Sequence, residues 1–469
     1  MKSHSLHTVI GWMEHLISDA FERACNTNQL VWTGNSMTVP AVDMIETFSR
    51  QTTGGWLFMP HHSNATLGLG SAYQWQWGER MSWHFASEKW HSLADVTTLP
   101  RHIKFVIGQA FSDSSHSQSY PIWDNFSPMH AMVPAIQIEQ PEDQPTIARL
   151  TLVARILPTD TADTLIDKYH RLLTSIVPVN SLSHLPNTRG QTFSTQSIPD
   201  QKEWRSMVTQ ALEDINHGDY EKIVVARSLD IKASRSWDVS PILKHLRMAN
   251  PDATVFAWQQ QNTTFLGASP EQLVAVQGRQ LQTICLAGSS NRGLTPEEDS
   301  RLAEELRAHP KHRHEHHLVC RHIQDALAPL CRDLHIPVEP TVQKLPSVQH
   351  LSTPVEGTLL PNASIWTAAA ALQPTPAVAG LPVEQAAHWI AQHEPFSRGW
   401  YAGTIGQVDL AGNGSFVVSL RSAVLSGNRA VAYAGCGIVT GSNPDQEFEE
   451  SRWKLRPILE ALGADGAEW

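Results

Sequence analysis

The segment AGCGIVTGSNPDQEFEESRWK, Ala434 to Lys454, decides how the chain is read. It begins as a Gly-rich stretch with the look of a loop and continues as a helix. Asn443 is a suitable N-cap, Pro444 fits the first helical position, and Gln446 can close a capping box. Glu447 and Glu450 stand three apart and Lys454 four further on, so a helix puts all three on one face. Two clustered carboxylates repel unless a cation or a proton joins them. Bare backbone N–H groups in a Gly-rich loop suit an anion. A cation site beside an anion site is what a metal ion holding a carboxylate or phosphate substrate requires. The competing reading is a capped surface helix with an ordinary charge pattern, and the rest of the chain decides between them.

The chain has 469 residues, 41% hydrophobic and 17% charged, enough for one large domain or two or three smaller ones. A net charge of -11 argues against a nucleic-acid surface while leaving room for a local basic pocket. The five cysteines, Cys25, Cys285, Cys320, Cys331 and Cys436, are scattered without a CxxC pair, which fits reduced thiols in a cytoplasmic protein. The N-terminus lacks the clean apolar core of a signal peptide and meets Glu14 and His15 early. The apolar run from Ile365 is broken by Gln373, Pro374 and Pro376, so no membrane span is expected.

Residues 8 to 26 carry helical periodicity; strand-like runs such as GGWLFMP, HIKFVIGQAF, AMVPAIQIEQ and IARLTLVARIL follow. Trp56, Trp75, Trp77, Trp83 and Trp90 read as sheet-packing residues. Residues 1–175 thus form a strand-rich region. Residues 176–199, rich in Pro, Ser, Thr and Asn, read as a linker or excursion, and 200–466 as a further unit. That unit opens with a helix capped by Asp200 and Glu203 and continues with the strand KIVVARSLDI, which starts at Lys222. A lysine flanking a strand is usually solvated; partly buried, it becomes a candidate base. Glu271 follows a hairpin, and Gly288 and Ser289 sit in a small-residue loop after a strand. Five histidines crowd between His309 and His317, but HEHH does not fit HExxH, and they read as a solvated helix face. Glu315 shares a side with Leu318 and His322, which points it inward. FVVSLRSAV and RAVAYAG read as a hairpin in which alternation sets Arg421 opposite Phe416, Val418 and Leu420. GCGIVTG is spaced GxGxxxG and follows an antiparallel hairpin, so it is not read as a dinucleotide loop.

KIVVAR, GASPEQL, LAGSSNRG, the Glu-His pair in HRHEHHLV, VQHLSTPVEG, LQPTPAVAG, RGWYAGTIG, SLRSA and AGCGIV with EFEESRWK occur in one order. In that order they resemble the chorismate-utilising enzymes, which include isochorismate synthases, salicylate synthases, anthranilate synthase large subunits and aminodeoxychorismate synthases. The resemblance covers roughly residues 200 to 460. It implies the α/β chorismate-binding fold, with large, mainly antiparallel sheets packed centrally and helices outside, and an N-terminal region that joins the sheet system. Chain length favours menaquinone-type over siderophore-type isochorismate synthases.

Residue by residue, the resemblance makes Lys222 the base that activates water and Glu271 the acid that protonates the departing hydroxyl. Glu315 and Glu450 match magnesium ligands, and Glu447 a carboxylate supporting the metal's water shell. Gly288, Tyr401, Arg421, Gly435 and Lys454 match positions around the substrate carboxylates, His350 matches a histidine near the ring, and Ser289 is counted with the substrate-binding residues. Ala377 stands where salicylate and anthranilate synthases commonly carry Thr. Gln373 and Cys436 depart from the family's usual His and small residue. The activity implied is Mg²⁺-dependent conversion of chorismate to isochorismate, an isomerisation needing no organic cofactor and no glutamine amidotransferase, by a monomer or homodimer. A salicylate synthase and a chorismate-binding subunit that needs a partner are the alternatives.

Overall fold

Local sequence rules account for the helices. In Leu6–Thr27 the buried residues Val9, Met13, Ile17, Ala20 and Ala24 recur every three or four positions. Gln201–His217 opens on a complete Asp200–Glu203 capping box and closes on Gly218 at φ +91°. Its inward face is Trp204, Met207, Val208, Ala211 and Ile215. Pro444–Leu462 is capped by Asn443, whose side chain accepts from the N–H groups of Asp445 and Gln446, and ends at Gly463, φ +67°. The computed structural model describes residues 6–52, 54–79, 83–112, 121–179 and 191–466.

Among those residues the strands join into one 20-stranded network in which each pairing is antiparallel. Period-two alternation distributes side chains between two cores on opposite faces. Trp56, Phe58, Phe256 and Trp258 point into one core, and their neighbours Leu57, Val255 and Ala257 into the other. Strands from the first 175 residues are woven into the rest. Gly55–Met59 pairs with Thr254–Gln260, setting Trp56 opposite Trp258, and Lys104–Gln109 pairs with Thr404–Asp409. Helices such as Gln201–His217, Pro310–Leu327 and Pro444–Leu462 pack on this network. This is the large antiparallel sheet with helices around it that the resemblance implied.

Several local readings change. Met44–Ser49 and Trp83–Ala94 are helices within the region read as strands and turns; Trp83 and Trp90 occupy the buried side of the second. Phe193–Ile198, inside the stretch read as linker, is a strand paired with Lys222–Ala233. Its polar composition hid it, because a ladder satisfies backbone groups whatever the side chains are. Residues 180–190 of that stretch lie outside the described residues. The small-residue loop at Gly288 and Ser289 is a register shift within one strand, Gln280–Asn291, with Gly288 at φ +78°.

Two corrections bear on the site. The Gly-rich stretch is a loop only after Ile438, where Gly441 sits at φ +87°; Arg429–Ile438 is a strand paired with Lys222–Ala233, Gly435 facing Ala226 and Gly437 facing Val224. FVVSLRSAV is not one strand. It breaks between Gly414–Val418 and Ser422–Ser426, and Arg421 sits at the break with φ +50°. Its direction therefore comes from a left-handed turn between two strands, not from alternation.

Candidate active site

Lys222 opens the strand Lys222–Ala233 and is fully buried, not solvated. The helix Pro310–Leu327 brings Glu315 over it, and Glu315 Oε1 lies 3.0 Å from Lys222 Nζ. Both side chains cross the space above Gly437. A Cβ on that glycine would run into Glu315 Oε1 and stand 2.7 Å from Lys222 Cε. The Gly-rich composition of 435–437 thus makes room for an ion pair. Burial pushes the Glu315 carboxyl up, but Lys222, Lys454 and Lys311 outweigh it and hold the group down at about 2.

Across the same cavity lies Glu271, just past the strand Thr263–Ser269. It is 6% exposed, and burial pushes its carboxyl up to about 7. Thr375 donates to Glu271 Oε1 over 3.3 Å, which opposes that rise, as do Lys222, Arg421 and Lys454. A carboxyl poised there can be a neutral acid near neutral pH.

His350 joins two further groups. Arg421 Nη2 donates to His350 Nε2 at 3.2 Å, so Nδ1 carries the proton and donates to Ser289 Oγ at 2.9 Å. Burial, then Arg421 and Lys454, hold its pKa well below the ordinary histidine value, so the ring is neutral. Burial likewise lowers Arg421 and raises the Tyr401 phenol to about 12; Tyr401 stacks on Tyr433 with 5.1 Å between ring centroids.

One cavity, about 620 Å³ of space partly continuous with solvent, is walled by Lys222, Glu271, Gly288, Ser289, Glu315, His350, Ala377, Tyr401, Arg421, Gly435 and Lys454. Glu447 and Glu450 do not line it. They lie on the Pro444–Leu462 helix, where Lys454 Nζ bridges Glu450 Oε1 at 2.6 Å and the carbonyl of Gly435 at 3.0 Å. Lys311 meets Glu447 Oε1 at 2.5 Å. Burial and the neighbouring Glu450 push Glu447 up to about 7 against the pull of Lys311. Ligand atoms of Cys436, Glu447 and Glu450 fall within 4.8 Å of one another, with Glu315 outside that tight group. Buried, mutually repelling carboxylates fit a hard divalent cation, which would hold both ionised.

Sequence reasoning missed three participants. Thr375, between Pro374 and Pro376, donates to the Glu271 carboxyl. Lys311 lies four residues before Glu315, one helical turn away, a spacing that could have found it. Arg398 lines the cavity and is 4% exposed. It holds Glu394 at 2.5 Å and donates to the carbonyls of Val378 and Val224, tying the Ala377 segment to the Lys222 strand.

A family model described as "Chorismate binding enzyme" matches residues 19–463. The chain belongs to the chorismate-binding enzyme family. Among its relatives, isochorismate synthase MenF of Bacillus subtilis is 30% identical over 464 residues, 95% of this chain and 96% of that protein. The salicylate biosynthesis isochorismate synthase of Pseudomonas aeruginosa is 41% identical over 272 residues, 58% of this chain and 56% of that one. The solved structure of MenF, the menaquinone-specific isochorismate synthase of Escherichia coli, is similar with a TM-score of 0.75 at 26% identity. That likeness covers 94% of this chain and 99% of the other. This chorismate-binding enzyme is thus a homologue of isochorismate synthases, which are isomerases. No described helix is long and apolar enough to cross a membrane.

Proposed function

We propose that this enzyme converts chorismate to isochorismate, with Lys222 as base and Glu271 as acid. The observation that carries the reading is a buried lysine and a buried, neutral-leaning carboxyl on the walls of one cavity. Neutral Lys222 removes a proton from the water that bonds to ring carbon C2. The ring double bonds shift, the C4–O bond breaks, and Glu271 gives its proton to the leaving hydroxyl, which departs as water. One water enters and one leaves, so there is no net redox change. Glu315, 3.0 Å from Lys222 Nζ, positions the amine beside the cavity.

The substrate is a dianion. Arg421, Lys454 and the Tyr401 hydroxyl supply donors for its carboxylates, and the Arg421–His350–Ser289 chain holds the guanidinium in place. Glu315, Glu447 and Glu450 would hold Mg²⁺, which when bound supplies positive charge against a substrate carboxylate. Ala377 presents a methyl group to the cavity and offers no hydrogen bond to the C2 substituent. A site of that kind releases isochorismate rather than carrying it on to salicylate and pyruvate. Likeness to a menaquinone-specific isochorismate synthase over 94% of this chain supports a place in menaquinone synthesis. The test incubates purified enzyme with chorismate and Mg²⁺, resolves products by chromatography and follows pyruvate with lactate dehydrogenase. Isochorismate with little pyruvate is expected; stoichiometric salicylate and pyruvate would overturn the product assignment.

A further inference from the structure

His316 follows Glu315 but faces away from the chorismate cavity, into a second cluster. Contrary to the solvated reading of the histidine tract, it is 4% exposed. Cys320, one turn further along the helix, and Cys285, on the strand Gln280–Asn291, complete the group. One ligand atom from each lies within 4.8 Å of the others. In a tetrahedral zinc site such atoms stand roughly 3.5 Å apart, so modest side-chain rotation closes the set.

Both imidazole nitrogens have partners. His316 Nδ1 lies 3.1 Å from the carbonyl of Ala287, so Nδ1–H donates there. Nε2 is left as the acceptor, 2.8 Å from Thr353 Oγ1. Nδ1 also lies 3.7 Å from Cys285 Sγ, so an ion would take the place of the Ala287 bond at Nδ1 or of the Thr353 bond at Nε2. Cys285 is wholly buried, whereas Cys320, His316 and Thr353 border a wide solvent-open cavity, about 1690 Å³ with its mouth, from which water can supply a fourth ligand. The cations at that mouth are neutralised: Arg313 by Glu339 at 3.0 Å and Arg321 by Glu221 at 2.8 Å.

We infer that Cys285, His316 and Cys320 form a site for a soft divalent ion of the zinc class, separate from the carboxylate cluster. The two thiols and one imidazole are poor ligands for Mg²⁺ and good ones for Zn²⁺. The ion would join the helix that carries Glu315 to the strand that carries Ser289, so occupancy would clamp two walls of the chorismate cavity together.

The test titrates full-length enzyme, saturated with Mg²⁺, with Zn²⁺ against a competing chromophoric chelator. Co²⁺ is the spectroscopic probe. One Zn²⁺ per chain is expected, with a thiolate-to-Co²⁺ charge-transfer band. Cys320→Ala and Cys285→Ala should each weaken Zn²⁺ binding at least about 100-fold, since loss of an outer partner alone costs 10–100-fold. Cys320 is half-exposed, so its alanine variant reads the site even if Cys285→Ala unfolds. Cys436→Ala, in the other cluster, should leave Zn²⁺ affinity and the Co²⁺ band unchanged. Absence of a thiolate band, undiminished binding by Cys320→Ala, or loss of the band with Cys436→Ala would each overturn the assignment.

Discussion

The contact above Gly437 allows a one-methyl test of the site. In Gly437→Ala the new Cβ would collide with Glu315 Oε1 and stand 2.7 Å from Lys222 Cε and 3.1 Å from Lys222 Nζ. All three atoms belong to buried side chains held by the 3.0 Å ion pair, so the pair itself must move. Overpacking of this kind costs about 1–3 kcal/mol. At about 2.1 cal/mol/K of unfolding entropy per residue, 469 residues give roughly 1 °C per kcal/mol, so the melting temperature falls by only about 1–3 °C in a protein that still folds. The catalytic effect should be larger. Displacing a reacting group by about 1 Å can cost about 10²-fold, and here the proposed base and a proposed metal ligand shift together. Steady-state isochorismate formation at saturating chorismate and Mg²⁺ should therefore fall at least about 10²-fold, alongside a cooperative melt by circular dichroism. Gly11→Ala is the control: beyond its own helix backbone and chain neighbours nothing lies within 4 Å of its added methyl, and turnover should not change. Wild-type turnover in Gly437→Ala would refute the view that Lys222 and Glu315 occupy that space in the working enzyme.

Lys222→Ala and Glu271→Gln should each lower turnover at least about 10²-fold, with chorismate binding by calorimetry less affected; near wild-type turnover in either would remove its assigned role. Because Glu271 must be protonated to act and its pKa is raised to about 7, activity should fall as pH rises through about 7. The same raised value means that its contribution to stability is present below about 4.5 and is lost as pH rises through 7, so Glu271→Gln should flatten the melting temperature over that window. Thr375 donates to the ionised carboxyl, so Thr375→Val should move the alkaline limb of the pH–rate profile to higher pH; a shift the other way would contradict the assignment of that limb to Glu271. EDTA should abolish activity and Mg²⁺ restore it, and Glu450→Ala should raise the Mg²⁺ requirement sharply. Full turnover in metal-free buffer would rule out the cation.

Much of the site was written in local sequence. Capping at Asn443 and Asp200 and the i, i+3, i+7 spacing of Glu447, Glu450 and Lys454 depend on residues within two turns of one another, so they are legible without a fold. Ordered motifs from KIVVAR to EFEESRWK carried the family resemblance, and with it the residues that the structure brings to one cavity. What the tertiary structure decided lies in pairings across long stretches of chain. Glycines at 435 and 437 look like a loop until their strand is paired with Lys222–Ala233, about 200 residues earlier; then they are clearance for side chains crossing the sheet. Arg421 looks like a residue of a regular strand until the chain is seen to leave one strand pairing and enter another there. Lysine partners for Glu315 and Glu447, the Thr375 bond to Glu271 and the meeting of Cys285 with His316 have the same origin. Periodicity and caps report which way one element faces. They carry no information about which distant element it will face, because that is set by sheet register and by the packing of two cores at once.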